Sequence, residues 1–254
     1  MTINQPDLIE GAAKAFAVLE SFTAERQKLN TTQTAEKAGL TRAAARRHLL
    51  TLEHLGYLQS EDGFFWLAPR ILRLAGNYLS SARLPRAAQP TLNRLARDTS
   101  MAFSVAILDG AEVVIVARSG EHRRQSAMMP QGIHLGARLP AYATSTGRVL
   151  LAELSTSRFK AIRSSINFVG FTPNTVRSMR ALEKQMQEVR AQGHCAAAQE
   201  HELGVYALAV PIRDSKGKCI AALNIVQLQM QGASTTSQYL GLLLEASAEI
   251  RTLL

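Results

Sequence analysis

Gly39 breaks the front of the chain into two helical runs, and an Asp62-Gly63 pair turns the stretch behind them back on itself. Thr34 to Ala38 is long enough for one short helix, Gly39 supplies the turn, and Leu40 plugs the angle between two helices. Thr41 caps a second helix running to about Leu55, because a threonine hydroxyl accepts from a free N–H of the first turn. On that helix Ala45, Leu49 and Leu52 form a core-facing stripe, while Ala43, Arg46, Arg47, Leu50 and His54 lie opposite. Arg42, Arg46, Arg47 and His48 meet no acidic residue until Glu53. A helix with one apolar stripe and a basic outer face suits the major groove of DNA. Behind it, Leu58-Gln59-Ser60 and Phe64-Phe65-Trp66-Leu67 flank Glu61-Asp62-Gly63, and Asp-Gly is a strong hairpin signal because both positions take positive φ. Residues 31–67 thus read as a winged helix-turn-helix, the alternative being two hairpins that merely pack together. Thr41, Arg42, Ala43, Arg46, Arg47 and Thr51 are the candidate DNA contacts, with Arg42, Ala43 and Arg46 best placed to read bases and Arg46, Arg47 and the wing to hold phosphates.

The formal net charge of +9 favours an anionic partner, but its distribution does not single out the front of the chain. Residues 1–68 net to −1 and the remainder to +10, so the DNA assignment rests on the local arginine cluster. Cys195 and Cys219 make no disulfide framework and lack CxxC spacing, which fits a reducing cytoplasm. His194-Cys195 is a poor metal signal, and no motif implies a cofactor. No N-terminal segment has a signal-peptide layout and no apolar run approaches a membrane span, so the expectation is a soluble intracellular protein with no membrane partner.

Residues 11–22 predict a first helix with Ala12, Phe16 and Leu19 on its inner side. Pro69 to Arg83 predicts a linker helix whose Ile71, Leu72, Ala75, Tyr78 and Leu79 are too apolar for an exposed connection. It packs back on its own domain or pairs with a second copy, and two-fold operators favour the second option. Beyond it, Pro90 to Thr99 reads as a helix. Residues 103–108 and 113–117 read as strands around Asp109-Gly110, as do 205–212 and 219–226 around Asp214-Ser215-Lys216-Gly217. Helices are predicted over 144–154, 158–164, 176–192 and 239–253, with Met179, Leu182, Met186 and Val189 as the inner edge of the third. Helices interleaved with antiparallel hairpins imply an α+β domain on one sheet. The domains are therefore drawn at 1–68, 69–83 and 84–254.

Thr144, Ser145 and Thr146 cluster where a helix begins, and Gly147 lets a backbone or a ligand approach. A helix start offers unpaired N–H groups and the positive end of a dipole, so it holds a carboxylate readily. Phe103, Tyr142, Met128 and Met129 are candidates for an apolar wall, and His134 or Arg138 for a positive charge. An N-cap cluster beside core aromatics is the alternative. Ala196-Ala197-Ala198 would widen a cavity, Glu200 and Glu202 are either ligand contacts or solvated or hinge-stabilising carboxylates, and Asn224 is an inward polar candidate on an apolar strand, or else sits at a bulge or on the solvated face.

Residues 34–58, 138–152 and 202–226, in that order and after a matching first helix, resemble the IclR family of bacterial transcriptional regulators over nearly the whole chain. Within the family the likeness is to regulators of protocatechuate and p-hydroxybenzoate catabolism. The resemblance implies an N-terminal winged helix-turn-helix, a dimerising linker helix and a C-terminal effector-binding domain of GAF-like or profilin-like form. It also implies that a small organic acid binds beside the segment matching Ala143 to Gly147, with backbone N–H groups of Ser145 and Thr146 on its carboxylate and Ala207 and Asn224 lining the cavity. Some relatives bear an acid where this chain has Ala197, which speaks against very small acids and leaves room for an aromatic ring.

The reading is a cytoplasmic, homodimeric regulator of an aromatic-acid catabolic operon, with a tetramer as the alternative assembly. Double-stranded operator DNA and a small aromatic carboxylate are its partners, and it carries no cofactor and no metal. The rivals are a constitutive DNA-binding protein whose C-terminal domain only oligomerises, a sensor of a non-aromatic acid, and an enzyme pairing Ser145 with His134 or His201; no Gly-x-Ser-x-Gly elbow supports the last.

Overall fold

The computed structural model describes residues 7–119, 134–227 and 233–254. Contacts divide the chain into two compact units, Met1–Ser81 and Ala82–Leu254.

In the first unit α1 (Glu10–Glu20) is followed by β1 (Leu29–Asn30), α2 (Thr31–Ala38), α3 (Arg42–His54), β2 (Leu58–Glu61), β3 (Phe64–Leu67) and α4 (Ile71–Ser81). α2 starts three residues earlier than its apolar pattern suggests. Asn30 accepts from the Gln33 backbone N–H while the Gln33 side chain accepts from that of Asn30, a reciprocal capping box. Gly39 ends α2 at φ +66°, where a side chain would be strained. Thr41 caps α3 by accepting from Ala44 N at 3.2 Å, and Ala45, Leu49 and Leu52 point inward. Asp62 (φ +51°) and Gly63 (φ +81°) turn the hairpin, and β1 adds to the far side of β3, a third strand the sequence pattern does not announce. The core joins Val18, Phe22, Leu29, Leu49, Leu52, Leu58 and Phe65. The expected inner face of α1 needs correction: Phe16 is 59 % exposed and Ala12 lies outside, because Val18 and Phe22, at the end of the helix and just past it, reach the core instead. On α4 no residue is buried, and Leu72 is 70 % exposed.

The second unit opens with α5 (Arg83–Thr99), then β4 (Ala102–Asp109), β5 (Glu112–Arg118), β6 (Arg138–Pro140), a 3-10 turn (Ala141–Ala143), α6 (Ser145–Ala152), α7 (Thr156–Arg163), α8 (Met179–Gln192), β7 (Cys195–Ala198), β8 (Tyr206–Arg213), β9 (Cys219–Gln227) and α9 (Ala233–Thr252). α5 begins seven residues before the predicted start and carries an exposed Pro90 within it, which leaves one helix carbonyl without its usual donor. The described strands form a six-stranded antiparallel sheet in the order β6-β5-β4-β9-β8-β7. β7, read from its alanines only as a cavity wall, is an edge strand of this sheet.

Strand alternation sends side chains to two different layers. Leu92, Leu95, Val105, Val210, Leu223, Ile225, Leu243 and Ile250 pack between the sheet and helices α5 and α9. On the other face Val149, Leu151, Leu182, Met186 and Val189 of α6 and α8 pack over Ala106, Ala209 and Ala222. Small residues on the strands let α6 lie close to the sheet there. No helix among the described residues is long and apolar enough to cross a membrane.

Candidate functional site

α3 presents Arg42, Ala43, Arg46, Arg47 and Thr51 to solvent, with Thr41 exposed at its cap. The Thr51 hydroxyl donates to Arg47 O at 2.7 Å, which leaves it an acceptor toward the outside. Among the described residues no carboxylate pairs with Arg42, Arg46 or Arg47. Arg42, Arg46 and Arg47 are thus exposed together on one helix without a carboxylate partner among the described residues. The wing tip carries exposed Glu61 and Asp62. The cation beside it is Lys28, 4.5 Å over the Trp66 ring, and Trp66 Nε1 donates to Gln59 Oε1 at 3.0 Å.

In the second unit a cavity of about 560 Å³, its mouth included, opens between the sheet and the start of α6. Its strand residues are Ser104, Ala197, Ala207, Asn224 and Val226, its helix-start residues are Thr144, Ser145 and Thr146, and Ile115, Leu139 and Ala143 add apolar wall. The loop after β7 contributes Glu200, His201, Glu202 and Val205.

The helix start leaves hydrogen-bond donors open. Thr144 Oγ1 accepts from Gly147 N at 3.1 Å, so the N–H groups of Ser145 and Thr146 are the first-turn donors left without an acceptor inside the helix. Ser145 Oγ is buried and has no hydrogen-bond partner among the described residues. A buried hydroxyl left unpaired is costly, and a ligand oxygen would relieve it. On the floor, Ser104 Oγ donates to Asn224 Oδ1 at 2.5 Å, which aims the Asn224 amide nitrogen elsewhere. Gly147 serves a backbone and not a ligand: a Cβ there would sit 2.2 Å from Ala141 O.

Of the predicted effector residues, Thr144, Ser145, Thr146, Ala207 and Asn224 line this one cavity. Four others do not. Phe103 packs among Leu92, Val105 and Ile225 on the opposite face, because strand parity gives the cavity its neighbour Ser104. Arg138 is spent at the sheet edge on Glu112 (2.7 Å) and Asp109 (2.8 Å), and both carboxylates help hold its guanidinium charged. His134 is exposed with Nδ1 against Leu135 O. Tyr142 is buried in the α6–α8 core, its hydroxyl donating to Val169 O and accepting from Val169 N. Met128 and Met129 lie outside the described residues.

Sequence reasoning missed the polar group that ties the cavity together. Arg148, 1 % exposed, sends both terminal nitrogens to Glu200 and its Nε to Tyr142 O at 3.0 Å. One arginine in an otherwise apolar buried turn was the available signal. Thr172 Oγ1 donates to Gln199 O and Thr175 Oγ1 to Glu200 O, each at 2.6 Å, so the loop is fastened from two sides. Burial pushes the Cys195 thiol up to about 11, against the pull of nearby Arg148, which leaves it inert as a nucleophile. Among the described residues no group of three His, Cys, Asp or Glu side chains is placed to hold a metal.

Known proteins share both units. The description "IclR helix-turn-helix domain" matches residues 11–62, and "Bacterial transcriptional regulator IclR C-terminal" matches residues 76–252. The chain is 44 % identical to the Pca operon regulatory protein of Acinetobacter baylyi, over 99 % of this chain and 91 % of that one. It is 43 % identical to the p-hydroxybenzoate hydroxylase transcriptional activator of the same organism, over 99 % and 94 %. The crystal structure of a double mutant of the Acinetobacter PobR inducer-binding domain with 3-hydroxybenzoic acid superposes at a TM-score of 0.63, with 39 % identity over 68 % of this chain and all of that one.

Proposed function

This chain belongs to the IclR family of bacterial transcriptional regulators, and we propose that it controls an aromatic-acid catabolic operon by binding a small aromatic carboxylate in the cavity at the start of α6. The observation that carries the reading is Ser145: a buried, unpaired hydroxyl beside two open N–H groups, facing a cavity with apolar walls. Carboxylate oxygens meet those donors, the Asn224 amide adds another, and Ala197, Ala207 and Val226 leave room for a ring. The relatives' names and the hydroxybenzoate complex support the aromatic class over an aliphatic one. Among the described residues Ser145 has no imidazole within hydrogen-bond reach, which favours a donor to ligand over a hydrolytic nucleophile.

The working form is a cytoplasmic dimer, with a dimer of dimers as the alternative. The uncovered apolar residues of α4, Leu72, Leu74 and Tyr78, supply the motive for pairing. Thr41, Arg42, Ala43, Arg46, Arg47 and Thr51 then face operator DNA, and effector acts by favouring one of the dimer's two states.

Benzoate and hydroxybenzoates at about a hundredfold excess over their Kd stabilise the protein by about 2.7 kcal/mol in thermal melts, whereas acetate and succinate do not. Ser145→Leu abolishes that response and leaves operator affinity in place. A melt that ignores every aromatic acid overturns the reading. Arg46→Ala weakens operator binding by about 1–3 kcal/mol and lowers the salt slope of log K by about one, with effector affinity unchanged. Equal loss of both affinities means that α3 is not the reading helix.

A further inference from the structure

We propose that His201 is the residue by which this cavity tells a ring-hydroxylated benzoate from benzoate itself. The inference rests on the reading that the cavity takes an aromatic carboxylate. Three polar side chains of the loop after β7 reach the cavity: Glu200, His201 and Glu202. Glu200 is already spent, because both of its oxygens are held by the buried Arg148 guanidinium. On the floor, Ser104 and Asn224 Oδ1 are spent on each other. His201 is different. Its ring packs against Phe171, with centroids 4.9 Å apart and planes tilted by 31°, and the residue lines the cavity. Among the described residues neither ring nitrogen of His201 has a hydrogen-bond partner. Burial lowers the His201 pKa, with Glu202 opposing, so the ring sits neutral and offers one acceptor and one donor.

A hydroxyl on the benzoate ring satisfies that acceptor. Benzoate offers only C–H and leaves it unpaired in a half-dry site. A site holding a polar group for a ligand hydroxyl discriminates against the analogue without one, since the unmet group carries the penalty. The donors at the α6 start grip the carboxylate of either acid alike and contribute nothing to this choice.

Calorimetric titration of the full-length protein with benzoate, 3-hydroxybenzoate and 4-hydroxybenzoate tests the assignment. Wild type binds at least one hydroxybenzoate about tenfold or more tighter than benzoate. His201→Leu brings that ratio to within about threefold by weakening the hydroxylated acid alone, and His201→Gln, which keeps an acceptor and a donor, retains part of it. A ratio that survives His201→Leu overturns the assignment while leaving the aromatic reading intact. Equal weakening of all three acids in both variants also overturns it, since that marks a structural role. A wild type that binds none of the three removes the aromatic reading and this inference together. Ser145→Leu is the internal control, because it loses all three acids in parallel.

Discussion

Arg148→Met destabilises the C-terminal unit by about 3–5 kcal/mol, the usual consequence of leaving one member of a buried ion pair alone. Arg148 is 1 % exposed, and Glu200, itself buried, would be left with no counterion and lose both donors. Tyr142 O would lose its partner as well. The double variant Arg148→Met/Glu200→Leu recovers most of the loss, because removing both charges removes the desolvation problem. Urea unfolding followed by circular dichroism reads the change. Trp66, the only tryptophan in the sequence, lies on β3 of the other unit, so its fluorescence transition stays near its wild-type midpoint. A single variant as stable as wild type would mean the pair is hydrated and carries no structural weight. The same variant loses effector affinity, since Glu200 anchors the loop that forms one side of the cavity.

Gly147→Ala is expected to be nearly as severe, at about 3 kcal/mol, through overpacking. The added Cβ would lie 2.2 Å from Ala141 O and 2.3 Å from Ala141 Cα, both backbone atoms that cannot swing aside. Either the 3-10 turn or the first turn of α6 must move, and the second carries Ser145 and Thr146. Stability and effector binding should therefore fall together. Gly11→Ala is the matched control: it lies in α1 with nothing within 4 Å of its Cβ, and replacing a helical glycine there stabilises by up to about 1 kcal/mol. Unfolding midpoints of the two variants moving in the same direction would refute the steric argument.

Features set within a few residues were readable before any coordinates. Thr41, the stripe of Ala45, Leu49 and Leu52, the Asp62-Gly63 turn and the Thr144 cap each depend on neighbours in sequence. The capping box of Asn30 and Gln33 is equally local, but the apolar pattern that marks the helix begins only after it. What failed depends on pairing at a distance. Arg138 looks free until Asp109 and Glu112 arrive from 29 and 26 residues upstream. Arg148 and Glu200 lie 52 positions apart. Aromaticity alone points Phe103 to the cavity, yet its parity on β4 decides its face, and parity is set by the register with β9. β7, a run of alanines, carries no strand signal and exists because β8 offers it an edge.

The two-sided character of β9 bears on how such a protein diversifies. Along it, Leu223 and Ile225 belong to the layer under α5 and α9, while Asn224 and Val226 look into the cavity. On β8 the same division separates Leu208 from Ala207. Exchanges at positions 207, 224 and 226 therefore reshape the chamber while the opposite layer keeps its packing intact. Duplicated copies of this gene have room to drift toward new nutrients one floor residue at a time, without passing through an unfolded ancestor.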